Sequence, residues 1–160
     1  MVIIDASEED IKEITRIYNQ NLGTASMYLT PRDPEFFLDI IQNLGSNERL
    51  LKLADNDNLL GWSLIQKYSS KEGYRFVCET STYIDHQYHG KGYGTHLKKE
   101  VINRCKELGF KYILARVVSA NEVSIKYNLN LGYSIVGIQK RIGNVNGEWV
   151  DVTIMEYHIQ

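Results

Sequence analysis

Two prolines and two cysteines are all that the 160 residues hold of either type, and no apolar run extends beyond a few residues. A membrane-crossing helix needs ~20 consecutive apolar residues, so neither a span nor a membrane partner is expected. Charge of one sign is lacking too: 18 Lys and Arg stand against 20 Asp and Glu, a formal net charge of -2 with no like-charge block. That excludes a broad nucleic-acid-binding face, which requires clustered positive charge. Cys78 and Cys105 form no CxxC pattern, which points to two free thiols in a reducing compartment. The N-terminal MVIIDASEED turns acidic where an export signal stays apolar, and the expected location is the cytoplasm. His86, His89 and His96 cluster in sequence, but their spacing fits no zinc signature and no cysteine or carboxylate set completes a site, so no metal is expected.

With 43% hydrophobic residues, a chain of this length builds a core without metal or disulfide help, and residues 1–160 are taken as one domain. A strand from Val2 to Asp5 leads to Ser7, an N-cap for a helix with Ile11, Ile14, Ile17 and Leu22 at roughly helical spacing, ending near Asn21. Asp33 and Pro34 open a second helix carrying Phe37, Ile40, Ile41 and Leu44. Arg49 to Ala54 and Leu59 to Lys67 flank the turn-forming DNDN as a hairpin, and a further strand is expected from Tyr74 to Ile84. A helix bearing Leu97, Val101, Ile102, Cys105 and Leu108 follows, then a strand from Tyr112 to Val118 and a short helix capped by Asn121. Tyr133 to Ile142 and Glu148 to His158 flank Asn146-Gly147, a strong hairpin signal. The order βααβββαβαββ, with hairpins and a crossover, predicts an α/β (α+β mixed) fold: a mixed, mostly antiparallel sheet of about seven strands with helices on both faces.

Between the strand ending at Ile84 and the helix beginning near Leu97 lies HQYHGKGYG, with Gly90, Gly92 and Gly94 on alternate positions. Backbone N–H groups at a helix start form an anion site, and glycine admits a diphosphate where a Cβ would collide. Such loops also serve as plain tight turns, and spacing alone leaves both readings open. The GK[ST] of a P-loop is missing, and G-x-G-x-G is not the dinucleotide spacing G-x-G-x-x-G.

Gln87-Tyr88-His89-Gly90-Lys91-Gly92 resembles the [RQ]-x-x-G-x-[GA] acetyl-CoA motif of the GNAT-type N-acetyltransferases. The order of elements agrees with that family, implying a GNAT-like fold. IYN at Ile17 to Asn19, E-x-S-x-Y-I at Glu79 to Ile84, NEVS at Asn121 to Ser124, LGY at Leu131 to Tyr133 and G-x-W-x-D-V at Gly147 to Val152 are similar to the phosphinothricin and methionine sulfoximine acetyltransferase branch. The resemblance implies transfer of the acetyl group of acetyl-CoA to the primary amine of a small, amino-acid-like acceptor, by a homodimer. It also implies that His89, Gly90, Lys91, Gly92, Tyr93, Gly94 and Thr95 surround the diphosphate, that Thr82, Tyr83 and Ile84 pair with the pantetheine arm, and that Asn121 contacts the cofactor. As a plain N-cap, Asn121 needs no cofactor, and both readings can hold together. Two alternatives remain: acetylation of a protein N-terminus or lysine, and a non-catalytic acyl-CoA-binding module.

An amine attacks a thioester only as the free base, so a proton must leave the ammonium and another must reach the departing thiolate. Glu79 matches the carboxylate that serves as base in the related branch, and burial would raise its pKa toward useful values. The competing reading is a strand carboxylate held by a neighbouring Arg or Lys. The family's second proton-transfer residue, a His or Tyr seven positions after the capping Asn, falls on Asn128, whose amide cannot titrate. Tyr127 lies ~100° away around the helix. Arg75 is the natural partner of an acceptor carboxylate, and Tyr28 and Tyr74 are candidates for the acceptor pocket. Trp62 and Trp149 suit either core or pocket, and Cys78 is expected to be a core thiol rather than a nucleophile.

Overall fold

A computed structural model describing all 160 residues gives β1 (Val2–Asp5), α1 (Ile11–Asn19), α2 (Pro34–Gln42), β2 (Arg49–Asp55), β3 (Asn58–Lys67), β4 (Val77–Ile84), α3 (Tyr93–Glu107), β5 (Tyr112–Val118), α4 (Glu122–Leu131), β6 (Ser134–Val145) and β7 (Glu148–His158). The strands form one seven-stranded sheet in the order β1-β2-β3-β4-β5-β7-β6. Every neighbouring pair is antiparallel except β4 and β5. A parallel pair needs a long crossover, and α3 supplies it.

The apolar spacing of each helix decides which face it covers. Ile11, Ile14 and Ile17 of α1 and Phe37 of α2 bury against Leu50, Trp62 and Leu64 on one face. Leu97, Val101 and Cys105 of α3 bury against Leu51, Leu53, Ile65, Cys78 and Ile113 on the other. Each fully buried Leu or Ile contributes about 1.5–3 kcal/mol, so α3 is held to the sheet mainly by this stripe. Trp62, 1% exposed, belongs to the core, whereas Trp149 is 56% exposed under the Arg141 guanidinium.

Several boundaries differ from the sequence expectation, for local reasons. Two-sided cover fails at β6, where Ile135, Val136, Ile138 and Ile142 are exposed, because α1 and α2 pack over β2 to β4 and stop there. The strand expected from Tyr74 begins at Val77. Turn hydrogen bonds from Tyr74 N to Lys71 O and from Arg75 N to Glu72 O wind Glu72–Tyr74 into a 3-10 turn instead. Ser7 caps a 3-10 turn, Glu8–Asp10, before α1. At the far end α1 stops at Asn19, and the Asn21 side chain donates back to Ile17 O at 2.9 Å. The final hairpin turns on Asn146 and Gly147, both at positive φ, but β6 begins at Ser134 and continues to Val145. A register shift between Gln139 and Gly143 absorbs the extra length, with Arg141 in the left-handed region at φ 55.

Candidate active site

β4 and β5 pair only at Val77 with Tyr112, Cys78 with Ile113 and Glu79 with Leu114, and then part. β4 continues on β3 as far as Ile84, and β5 continues on β7 as far as Val118. Gly61 lets β4 close onto β3 at that end, since a Cβ there would lie 2.7 Å from Tyr83 O. From Thr80 onward the β5-facing edge of β4 therefore has no strand partner, and a cleft opens between the strands. Buried backbone groups seek hydrogen bonds, so this edge is suited to an extended, amide-bearing ligand.

At the mouth of the cleft the chain turns into α3. The backbone N–H groups of Gly90 through Thr95 make no hydrogen bond within the protein. Gly90 and Gly92 stand at φ +75 and +81, and no atom lies within 4 Å of a Cβ built on either. The result is an open cradle of donors at the positive end of the α3 dipole. Gly94 is different: it is helical, and a Cβ there would meet Tyr127 Cε2 at 2.8 Å, so its bareness seats the Tyr127 ring. Asp85 fixes the entry to this loop. Its buried carboxylate accepts from Arg16 Nη2 at 2.6 Å, Gln20 Nε2 at 3.1 Å and Gln87 N at 3.2 Å. Burial alone would raise its pKa, but the Arg16, Gln20 and Gln87 donors outweigh burial and hold it at about 2.

Thr82, Tyr83, Ile84, His89, Gly90, Gly92, Tyr93, Gly94, Thr95 and Asn121 all line one groove running from the cradle into the cleft. The Tyr83 ring packs on Trp62 and Tyr18, with centroids 4.9 and 5.2 Å apart, so the residue's exposed contribution is its strand edge. His89 Nε2 is 2.9 Å from Ile84 O, and Asn121 Oδ1 caps α4 by accepting from Ser124 N at 3.3 Å. Lys91 does not line the groove; its ammonium lies 5.7 Å from the centre of the Tyr88 ring.

Glu79 stands where the strands part, but it is not buried: its side chain is 33% exposed, with Oε1 3.4 Å from Arg116 Nε. The expected burial gives way to an Arg-held carboxylate that lines neither the groove nor the cleft floor, because the residue after Cys78 turns to the opposite face of the strand. Arg75 stacks on Phe76 at 4.4 Å, and Tyr74 packs edge-on against Tyr68 at 5.4 Å; both lie before β4, away from the groove. Tyr28 sits in the aromatic cluster, under the Arg32 guanidinium at 4.2 Å and against Phe36.

Sequence reasoning named Tyr127 and Asn128 but missed the other residues on the floor of the cleft. Thr80, Lys98, Arg116, Ser124, Tyr127 and Asn128 line it together. The signal for Lys98 was a lysine three positions before Val101 and seven before Cys105, on the apolar stripe of α3. Cys78 and Cys105 lie behind it with sulfurs 3.6 Å apart, and both are free. The Cys105 thiol and burial push the Cys78 thiol up, so it is no nucleophile.

A parallel strand pair parted over a helix-end anion cradle defines the class of transferases that take an acyl group from a coenzyme A thioester. The chain belongs to the GNAT acetyltransferase family: residues 3–154 match the acetyltransferase (GNAT) domain. It is 30% identical to the L-methionine sulfoximine/L-methionine sulfone acetyltransferase of Pseudomonas aeruginosa, over 98% of this chain and 94% of that protein. Identity to the phosphinothricin N-acetyltransferase of Alcaligenes faecalis is 29%, over 93% of this chain and 78% of that one. Among solved structures, the phosphinothricin acetyltransferase of Sinorhizobium meliloti in complex with acetyl-CoA superposes with a TM-score of 0.91 at 27% identity, covering 99% of this chain and 88% of that chain. The Salmonella typhimurium protein yncA, solved with its cofactor acetyl-CoA, gives 0.92 at 28%, covering 100% and 94%.

Proposed function

We propose that this protein transfers the acetyl group of acetyl-CoA to the α-amino group of a small, amino-acid-like acceptor. The observation that carries the reading is the row of unpartnered N–H groups from Gly90 to Thr95 at the mouth of the parted strands. These donors fit the oxygens of a diphosphate, and the bare Gly90 and Gly92 leave room for its close approach. The free edge of β4 at Thr82 to Ile84 fits the amides of a pantetheine arm. Bound acetyl-CoA supplies an activated acyl group with a thiol leaving group; the rest falls to the chain. Glu79, oriented by Arg116, takes the ammonium proton directly or through a water, and a backbone N–H of the β4 edge polarises the carbonyl. The names of the relatives, which act on methionine sulfoximine, methionine sulfone or phosphinothricin, support an acceptor with an α-amino acid skeleton.

Two free thiols fit work in the cytoplasm. The exposed Ile135, Val136, Ile138, Ile142 and Trp149 on β6 and β7 support association of two copies over that bare area, since apolar patches left in water mark interfaces. Release of free CoA from acetyl-CoA across a panel of amino acids and their sulfoximine, sulfone and phosphinate analogues tests the activity. Steady-state release beyond one equivalent per chain is expected. Tight acetyl-CoA binding with no release for any amine would favour the non-catalytic module instead. Sedimentation equilibrium tests the pairing.

A further inference from the structure

Lys98 is 3% exposed, and no carboxylate pairs with it. Its ammonium donates to Thr80 Oγ1 at 3.1 Å and lies 5.0 Å from the centre of the Tyr133 ring. Burying an ammonium without a counter-ion is costly, and a leucine would complete the α3 stripe at no such cost. The lysine is thus a local rule broken inside the cleft, which is where function is expected to break rules. Two more buried polar atoms there, Asn128 Oδ1 and Tyr133 Oη, have no hydrogen-bond partner.

The titratable groups facing the ammonium are Cys78 from β4, Cys105 from α3 itself and Tyr133 from the turn after α4, with Tyr127 of α4 beyond it. From β5, Arg116 lines the same cleft. Thr80 is the first β4 residue past the last paired position, Glu79, and it lines the cleft. Because its oxygen accepts from Lys98, its own hydroxyl hydrogen is left to donate, with the Tyr133 phenol oxygen beside it as the competing acceptor.

We propose that Lys98, acting through the Thr80 hydroxyl, supplies the proton to the departing thiolate, the task that the Asn128 amide cannot perform. The inference rests on the acetyl-transfer reading above. The ammonium proton taken by Glu79 passes to solvent before attack; as the new C–N bond then forms and the C–S bond breaks, the acceptor nitrogen gives its second proton to the regenerated Glu79 carboxylate, which returns it to solvent. The sulfur electron pair takes the Thr80 proton, and Lys98 replaces it. The neutral Lys98 amine regains its proton from solvent before the next cycle. Burial pushes the Lys98 pKa down to about 8, close to the value that favours proton donation near neutral pH.

Lys98→Met and Thr80→Val test the relay, each removing one hydrogen-bonding group at nearly constant volume. Both are expected to lower kcat at pH 7 by about 10²-fold, with KM for acetyl-CoA changed by less than about threefold. The wild-type kcat profile should fall above pH 8 as Lys98 loses its proton; in Lys98→Met that limb should vanish. Thr80→Ser should restore most of what Thr80→Val loses. Independently of turnover, the ultraviolet absorbance of the CoA thiolate reports ionisation of the bound thiol, which should occur about one pH unit lower on the wild type than on Lys98→Met. Equal thiol titration on the two proteins, or an unaltered kcat limb in Lys98→Met, overturns the proposal. If the unaltered protein turns over no amine, the acetyl-transfer reading falls by itself, and the thiol titration still decides for or against Lys98. Should Lys98→Met fail to fold, Thr80→Val decides alone: an unaltered kcat at pH 7 in that folded variant overturns the proposal.

Discussion

Arg16 on α1 donates to the buried Asp85 at 2.6 Å, across 69 positions of sequence, and so ties the entry of the glycine cradle to the opposite face of the sheet. Only 2% of the Asp85 side chain is exposed, against 42% for Arg16. The bond therefore shields the carboxylate while the guanidinium keeps part of its hydration. Asp85 in turn accepts from the backbone of Gln87, the first residue of the stretch that resembles the acetyl-CoA motif.

Asp85→Asn is expected to destabilise the fold by on the order of 3 kcal/mol at pH 7, the scale for losing one partner of a buried pair. The sign with pH follows from a carboxyl held at about 2 in the fold against ~3.9 in the unfolded chain. Its stabilisation is complete above about pH 4 and disappears as pH falls through 2. Urea denaturation at stepped pH should show the gap between wild type and variant closing over that interval.

Gly92→Val should abolish CoA binding while the fold survives. At φ +81 a β-branched residue is strained whatever the surrounding space, and its side chain would fill the cradle that the N–H groups surround. Calorimetric titration with CoA gives the readout. An unchanged dissociation constant in a folded variant would remove the diphosphate from this loop.

Glu79→Gln is expected to keep acetyl-CoA affinity and lose about 10²-fold in kcat at neutral pH. The deficit should shrink at high pH, where the acceptor amine is already neutral. A deficit constant across the amine's pKa would assign Glu79, with its Arg116 partner at 3.4 Å, to positioning alone.

Asn128→His separates the two proton sources. On the Lys98→Met background it should recover about tenfold in kcat, since an imidazole can donate where the amide cannot; with Lys98 present it should bring no gain. Asn128 is 1% exposed, and its amide lies 3.7 Å from Met155 Sδ. The larger ring should therefore lower stability by about 1–3 kcal/mol, visible as a lower Tm in both backgrounds.

The element order was legible because most of its signals are local: alternation in β7, Asn-Gly before it, Asp-Pro at α2, and glycines at the helix ends. The cradle was legible for the same reason, being one continuous stretch of chain. Glu79 shows where local reasoning stops. An apolar strand implied burial, yet the strand's pleat sets it against Arg116 from β5, a neighbour 37 positions away in sequence. Lys98 shows it more sharply. Its position three before Val101 and seven before Cys105 was a signal that went unread, and only the packing of α3 against β4 reveals that its partner is Thr80 and that no carboxylate meets it.

The parting of β4 and β5 leaves the sheet short of hydrogen bonds at its centre, and that shortfall couples the lifetime of the folded chain to its ligand. A molecule that completes the strand edge binds the folded state alone, and at 100 times its dissociation constant it adds about 2.7 kcal/mol to stability. Amide exchange from Thr80 to Ile84 and from Ala115 to Val118 should slow when CoA is present, whereas the fully paired β2 and β3 change little. The chain without CoA is therefore its most protease-sensitive form, and limited proteolysis with and without CoA reads the difference directly.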